Sequence, residues 1–205
     1  PYEDSVPFHV VKLTEGTIGL FGNILTVTAV LKYKKLQTSS NVILVSIALS
    51  DIVAIFMAYM ISLGDALKHY QVFDVWVKFC YFLMFGAFLG AFTNIIGICF
   101  TSVDRFIAIK FPIYYRNKMK KKQWVIIVII MWLLVCLKLS LETLFAYKVS
   151  IYKACIIEDV FNPTVYTLTV MLVFGIISIV TTILYIYVAF LVGIAFRQNR
   201  RLINI

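Results

Sequence analysis

Five apolar runs, at about Val10–Leu31, Asn41–Gly64, Trp76–Ile109, Trp124–Tyr147 and Thr164–Phe196, constrain this chain more than any other feature. Each reaches the roughly 20 residues that a helix needs to cross a hydrocarbon core about 30 Å thick. In lipid the backbone finds no water to bond, so only helices and closed barrels cross. A barrel strand is about half as long as these runs and alternates lipid-facing with lumen-facing residues, a pattern they lack. Composition agrees, with 62% hydrophobic and 14% charged residues, against about half and a quarter in soluble domains. The expected fold is all-α, a multi-pass transmembrane helix bundle. The first run is the least clean, because Lys12 and Glu15 sit near its outer end and must reach headgroups or face protein.

Charge sets the orientation. Thirteen of the 19 lysines and arginines follow the first, third and fifth runs: Lys32, Lys34 and Lys35; Arg105, Lys110, Arg116, Lys118 and Lys120 to Lys122; Arg197, Arg200 and Arg201. The opposite loops mix Lys12, Lys68, Lys78, Lys148 and Lys153 with seven acids. Cytoplasmic loops retain Lys and Arg, so the N-terminus is expected outside and the net charge of +9 forms a cytoplasmic collar. Basic clusters in alternate loops of a membrane chain speak for topology, not for a nucleic-acid surface.

Four cysteines permit three complete pairings. Cys99 and Cys136 fall inside helical runs and read as buried packing residues. Cys80 and Cys155 both lie at the outer face, where an oxidising exterior supports a bridge from the third helix to the loop Lys148–Pro163. Such a staple is worth about 2–4 kcal/mol.

Further residues carry a family resemblance. Gly22-Asn23 lies in the first helix, Ile47-Ala48-Leu49-Ser50-Asp51 in the second, and Asp104-Arg105-Phe106 closes the third, the helix that Cys80 opens. The run Ala108 to Tyr115 and then Trp132, in the fourth helix, follow in order. The set resembles a class A, rhodopsin-like G-protein-coupled receptor over nearly the whole chain. Phe106 stands where the family more often has tyrosine, and the fifth helix lacks the family's mid-helix proline, which leaves Tyr185 and Tyr187 as alternative inward tyrosines. The family has seven helices and this sequence presents five. The resemblance therefore implies that residues 1–205 are one receptor domain truncated after its fifth helix. A natural five-helix product is the other reading.

The resemblance implies roles for the polar positions. Asp104 would hold the Arg105 guanidinium at rest and release it to a heterotrimeric G protein, a task suited to a planar fork that stays charged. Asp51, mid-membrane, must pair, bind a cation or stay protonated. With Asn94, on the same helix as Arg105 and further from its inner end, it is the candidate for an allosteric sodium ion. Asn23 and Trp132 read as helix-packing residues, the former as interhelical glue. Lys138 and Glu142, one turn apart, can neutralise each other against a neighbouring helix or line the ligand cavity. Ala87, in the outer half of the third helix, occupies the place of the aspartate in aminergic members, which argues against a biogenic amine. Met84, Phe88 and Ala91 would make that wall apolar, suiting a lipid, peptide or small hydrophobic odour-like ligand, and the divergent fifth helix points to an orphan or chemosensory-like branch. Phe82, Phe85 and Phe92 read as lipid-facing or packing residues.

Other classes fare worse. An enzyme needs a nucleophile and base or metal ligands at matched depth, whereas His9 and His69 lie in separate outer segments with no zinc-like spacing. A channel or transporter subunit is the stronger competitor, since Asp51 and Lys138 mark a conceivable ion path, yet no interrupted helices recur in inverted halves. A third reading is a non-signalling partner that dimerises with a complete receptor. The expected setting is the plasma membrane, with lipid, an extracellular ligand and a G protein as partners and no nucleic acid.

Overall fold

The structure, a computed structural model, describes residues 6–67, 73–146 and 163–203. In chain order the helices are α1 (Val6–Lys32), α2 (Ser39–Leu67), α3 (Phe73–Lys110), α4 (Pro112–Lys118), α5 (Lys121–Ala146) and α6 (Pro163–Ile203), with a 3-10 turn at Lys34–Leu36. No strand occurs among the described residues. Among the same residues, five helices hold a stretch long and apolar enough to cross a membrane: Leu13–Lys32, Ser39–Leu63, Phe79–Lys110, Lys121–Leu144 and Val170–Ile194. The all-α bundle expected from the apolar runs is the fold observed. Tyr147, Cys155 and His69 lie outside the described residues.

Two short elements escaped the hydropathy reading. Pro112 ends α3, because the residue before a proline is driven from helical geometry, and its fixed φ then starts α4. After α1 the 3-10 turn is closed by side chains: Asn41 Nδ2 donates to the Leu36 carbonyl at 2.6 Å, and Gln37 Nε2 donates to the Leu31 carbonyl at 3.2 Å. These bonds satisfy carbonyls that a helix end leaves open. At the other extreme α6 runs on to Ile203, past the apolar run, since neither glycine nor proline follows Phe196 to stop it.

The bundle buries several polar side chains within its apolar core and turns large apolar ones outward. Ser46, Ser50, Thr93, Ser102, Asp104 and Thr181 are buried, whereas Ile18, Phe21, Leu133 and Ile186 are largely exposed. Water would penalise that arrangement and lipid favours it. Helix α3 is central, packing against α2, α4, α5 and α6, while α1 packs on α2. Along it Cys80, Met84 and Phe92 join Val135 and Leu139 of α5, with Val170, Val173 and Phe174 of α6 against them. Cys99 and Cys136 carry free thiols and are only partly buried, a correction to the fully packed positions expected of them.

The α2–α3 contact depends on missing side chains. A Cβ placed on Gly90 would stand 2.5 Å from the Ser50 carbonyl oxygen and 2.8 Å from Ala54, so backbone lies against backbone. A Cβ on Gly22 would meet nothing within 4 Å. Gly90→Ala should therefore destabilise by about 1–3 kcal/mol through overpacking. Gly22→Ala should be neutral or gain about 0.5–1 kcal/mol of helix propensity. Thermal unfolding of both variants in detergent checks the contrast, and equal midpoints would refute it.

Candidate functional site

At the C-terminal end of α3 the sequence puts an acid beside a base, and the fold treats them differently. Asp104 is fully buried, whereas the Arg105 side chain is half exposed, with its Nε 3.9 Å from Asp104 Oδ2. At that separation the pair is a loose one. The carboxylate instead accepts from two hydroxyls: Ser40 Oγ of α2 donates to Oδ2 at 2.8 Å, and Tyr115 Oη of α4 donates to Oδ1 at 2.7 Å. Ser40 Oγ and Tyr115 Oη also lie 3.1 Å apart. Three helices thus close on one carboxylate, and its charge is met by bonds of the strong, charge-assisted kind. Burial, helped by the neighbouring carboxylate, pushes the Tyr115 hydroxyl up from its usual 10.0.

Phe106 lies next to this clamp and faces α6. Its ring sits 5.8 Å from that of Tyr187, and Lys110 Nζ lies over the rings of Phe106, Phe111 and Tyr187 at 5.2–5.6 Å. Of the two tyrosines left open by the missing proline, Tyr187 is the one packed on α3.

Deeper in the bundle Asp51 is held by two amides. Asn23 Nδ2 of α1 donates to Oδ2 at 3.3 Å and Asn94 Nδ2 of α3 donates to Oδ1. Trp132 Nε1 of α5 donates to Ser46 Oγ of α2 at 2.9 Å, on the other flank of α2. Further along α5 Lys138 Nζ meets Glu142 Oε2 at 2.9 Å and lies over the Phe92 ring, 3.8 Å from its centroid. Phe92 in turn packs edge-on to Phe174 of α6, 5.2 Å between centroids. The ion pair is therefore turned toward α3. Met84 sits in the packed cluster beside it, Phe88 lies against that cluster, and Ala87 and Ala91 are partly buried. Phe82 is 58% exposed and faces outward.

A model of the seven-transmembrane receptors of the rhodopsin family matches residues 22–202. The chain belongs to that family. It is also 27% identical over 191 residues to the D(2) dopamine receptor A of Xenopus laevis, a match covering 90% of this chain and 40% of the relative. The chain thus spans about two-fifths of that relative's length. These are receptors, not enzymes, and among the described residues no group of three or more His, Cys, Asp or Glu is placed to hold a metal.

Within the family's frame the structure brings Asp104, Arg105 and Phe106 to one end, and Asp51, Asn94 and Asn23 into one hydrogen-bonded set. Cys80 is buried near the N-terminal end of α3, and its expected partner Cys155 lies outside the described residues. Ser40 and Tyr115 escaped the sequence reading. Tyr115 closed the quoted loop run, but its tie to Asp104 depends on the turn that Pro112 imposes. Ser40 gave no signal beyond lying near the start of a helix.

Removing either donor leaves a buried carboxylate short of a partner. Ser40→Ala and Tyr115→Phe should each cost about 1.5–3 kcal/mol, and the double variant should lose less than the sum, because the two hydroxyls share one network. Tyr115 also predicts a pH dependence. With its folded pKa raised, its contribution is complete below about pH 10 and is lost as pH rises through the higher folded value. Thermal melts against pH check both points; additive losses, or an alkaline loss that survives in Tyr115→Phe, would count against the clamp.

Proposed function

We propose that the full-length protein is a plasma-membrane receptor, N-terminus outside, that binds an extracellular ligand and activates a heterotrimeric G protein through Arg105. The observation that carries this reading is the contrast at the end of α3. Ser40 and Tyr115 satisfy Asp104, so the guanidinium is held only at 3.9 Å and stays half exposed. Arg105 can then turn its donors to the backbone carbonyls of an inserted helix without stranding a buried charge. The basic loops beside it support a cytoplasmic location for this end. A Cys80–Cys155 bridge would fix the outer loop over α3, leaving Cys99 and Cys136 as thiols.

The relative is named a dopamine receptor, but an ammonium ligand needs a carboxylate, and Ala87 offers none. The ligand inferred here carries no amine that must be paired at that position. Phe88 and Ala91 supply an apolar wall, and Lys138 with Glu142 supplies the charge available to a polar end of the ligand.

Asp51 and Asn94 are the residues that would hold an allosteric sodium ion, the carboxylate giving charge and the amide carbonyl a neutral oxygen. Their fit is partial, because Asn23 and Asn94 both turn N–H groups to the carboxylate and satisfy it directly. Under the sodium reading, raising sodium lowers agonist affinity in the full-length receptor and Asp51→Asn abolishes the dependence. Agonist affinity insensitive to sodium would leave Asp51 as a purely structural hydrogen-bonding centre.

In the full-length chain Arg105→Ala should reduce agonist-stimulated nucleotide exchange by at least about 100-fold, equivalent to roughly 2.7 kcal/mol, while ligand binding persists. Ligand binding is read by displacement of a labelled ligand and exchange by nucleotide uptake on purified G protein. Exchange that survives the substitution would remove Arg105 from the mechanism.

A further inference from the structure

Helix α6 meets α3 through rings. Phe174 packs on Phe92 with 5.2 Å between centroids, and Tyr187 packs on Phe106 with 5.8 Å. The glycines of α6 bring it no closer: a Cβ on Gly175 or Gly193 would meet nothing within 4 Å, in contrast to Gly90. Its buried hydroxyl, Thr181 Oγ1, makes no hydrogen bond. The helix runs unbroken from Pro163 to Ile203 with no proline inside it to fix a kink. Aliphatic contacts alone would hold its register poorly, because lipid tails compete with them on equal terms.

The two ring contacts are 14 residues apart on α3 and 13 on α6, both counted toward the C-terminus. At about 1.5 Å per residue the spans are about 21 and 20 Å, so parallel helices satisfy both contacts without slipping. Around the helix axes the two differ. Fourteen residues bring Phe106 to within about 40° of Phe92, whereas thirteen carry Tyr187 about 220° past Phe174. The rings thus leave α6 on different sides, and rolling that helix to improve one contact spoils the other. Each contact is capped by a lysine: Lys138 Nζ lies over Phe92, and Lys110 Nζ lies over Phe106 at 5.2 Å and over both Tyr187 and Phe111 at 5.6 Å. Lys138 has Glu142 as its counterion. No acid lies between Asp104 and Glu142 in the chain, and both oxygens of Asp104 are engaged by Ser40 and Tyr115. The charge of Lys110 is therefore met by ring faces.

We propose that Lys110 is a positioning residue for Arg105. By holding the Phe106 and Tyr187 rings together it fixes the register and rotation of α6 against the last turns of α3. Arg105 directly precedes Phe106, and its own tie to Asp104 is loose at 3.9 Å. The direction of the guanidinium therefore follows the rotation of the turn that carries it, and the ring contact sets that rotation. The proposal rests on the reading of Arg105 as the coupling residue.

The test uses the full-length receptor in lipid nanodiscs, without agonist, with two readouts. One is affinity for purified, nucleotide-free G protein; the other is the distance distribution between spin labels at Ile98 of α3 and Phe190 of α6, with Cys99 and Cys136 replaced by serine. K110Q should weaken G-protein binding about two- to fivefold, the worth of one exposed cation–ring contact, and should broaden the distance distribution. K110R and Y187F keep the cation and the ring and should match the parent in both readouts. Y187L should behave as K110Q does, and K110Q/Y187L should lose no more than Y187L alone, because both remove the same contact. Equal loss in K110R and K110Q, additive losses in the double variant, or a broadened distribution with unchanged G-protein affinity would each overturn the proposal. Binding that is also unchanged in Arg105→Ala would instead overturn the coupling role of Arg105, and the proposal with it.

Discussion

A bilayer interior offers a polar group nothing to bond with, so every donor and acceptor carried into it must find its partner within the protein. That constraint makes the backbone helical, and it also dictates what the helices do with their few polar side chains. Asp104, Asp51 and the Lys138–Glu142 pair are each met by groups from the protein: hydroxyls of α2 and α4, amides of α1 and α3, and an ion pair lying on an α3 ring. These contacts also fix how the helices are placed. Apolar contacts between lipid-bathed helices discriminate poorly among packings, since lipid tails are as apolar as leucine.

Helix α3 is the common member of all three. It is able to serve them because α2 approaches it closely at Gly90, where backbone meets backbone. That approach brings Asp51 within reach of Asn94 and Ser40 within reach of Asp104. Tyr115 joins Ser40 there because Pro112 breaks the helix and starts α4, which carries it back toward Asp104. The result at the C-terminal end of α3 is a carboxylate satisfied by neutral donors and a guanidinium left accessible, which separates the stability of that end from the availability of Arg105.

Much of this was legible in the sequence, and unevenly so. The five spans came from apolar length alone, and their ends moved little except in α6, where the helix outlasts the hydrophobic run. Asp104-Arg105-Phe106, Asp51, Asn94 and Asn23 were singled out by the family resemblance. The clamp was not, because a serine near a helix start and a tyrosine in a loop are individually ordinary, and their meaning comes from contacts that join separate helices. The choice between Tyr185 and Tyr187 was equally closed to sequence, since without the expected proline nothing fixed the register.

By itself the sequence determined what the solvent dictates: the helical class, the number of spans and the basic end of the bundle. These follow from local hydropathy and charge, which act residue by residue. Only the tertiary structure decided which polar groups satisfy one another, that Lys138 turns inward onto Phe92, and that Tyr187 packs on α3. Those outcomes depend on how helices are rotated and how closely they approach, and rotation is set by the sum of long-range contacts that no single stretch of sequence contains.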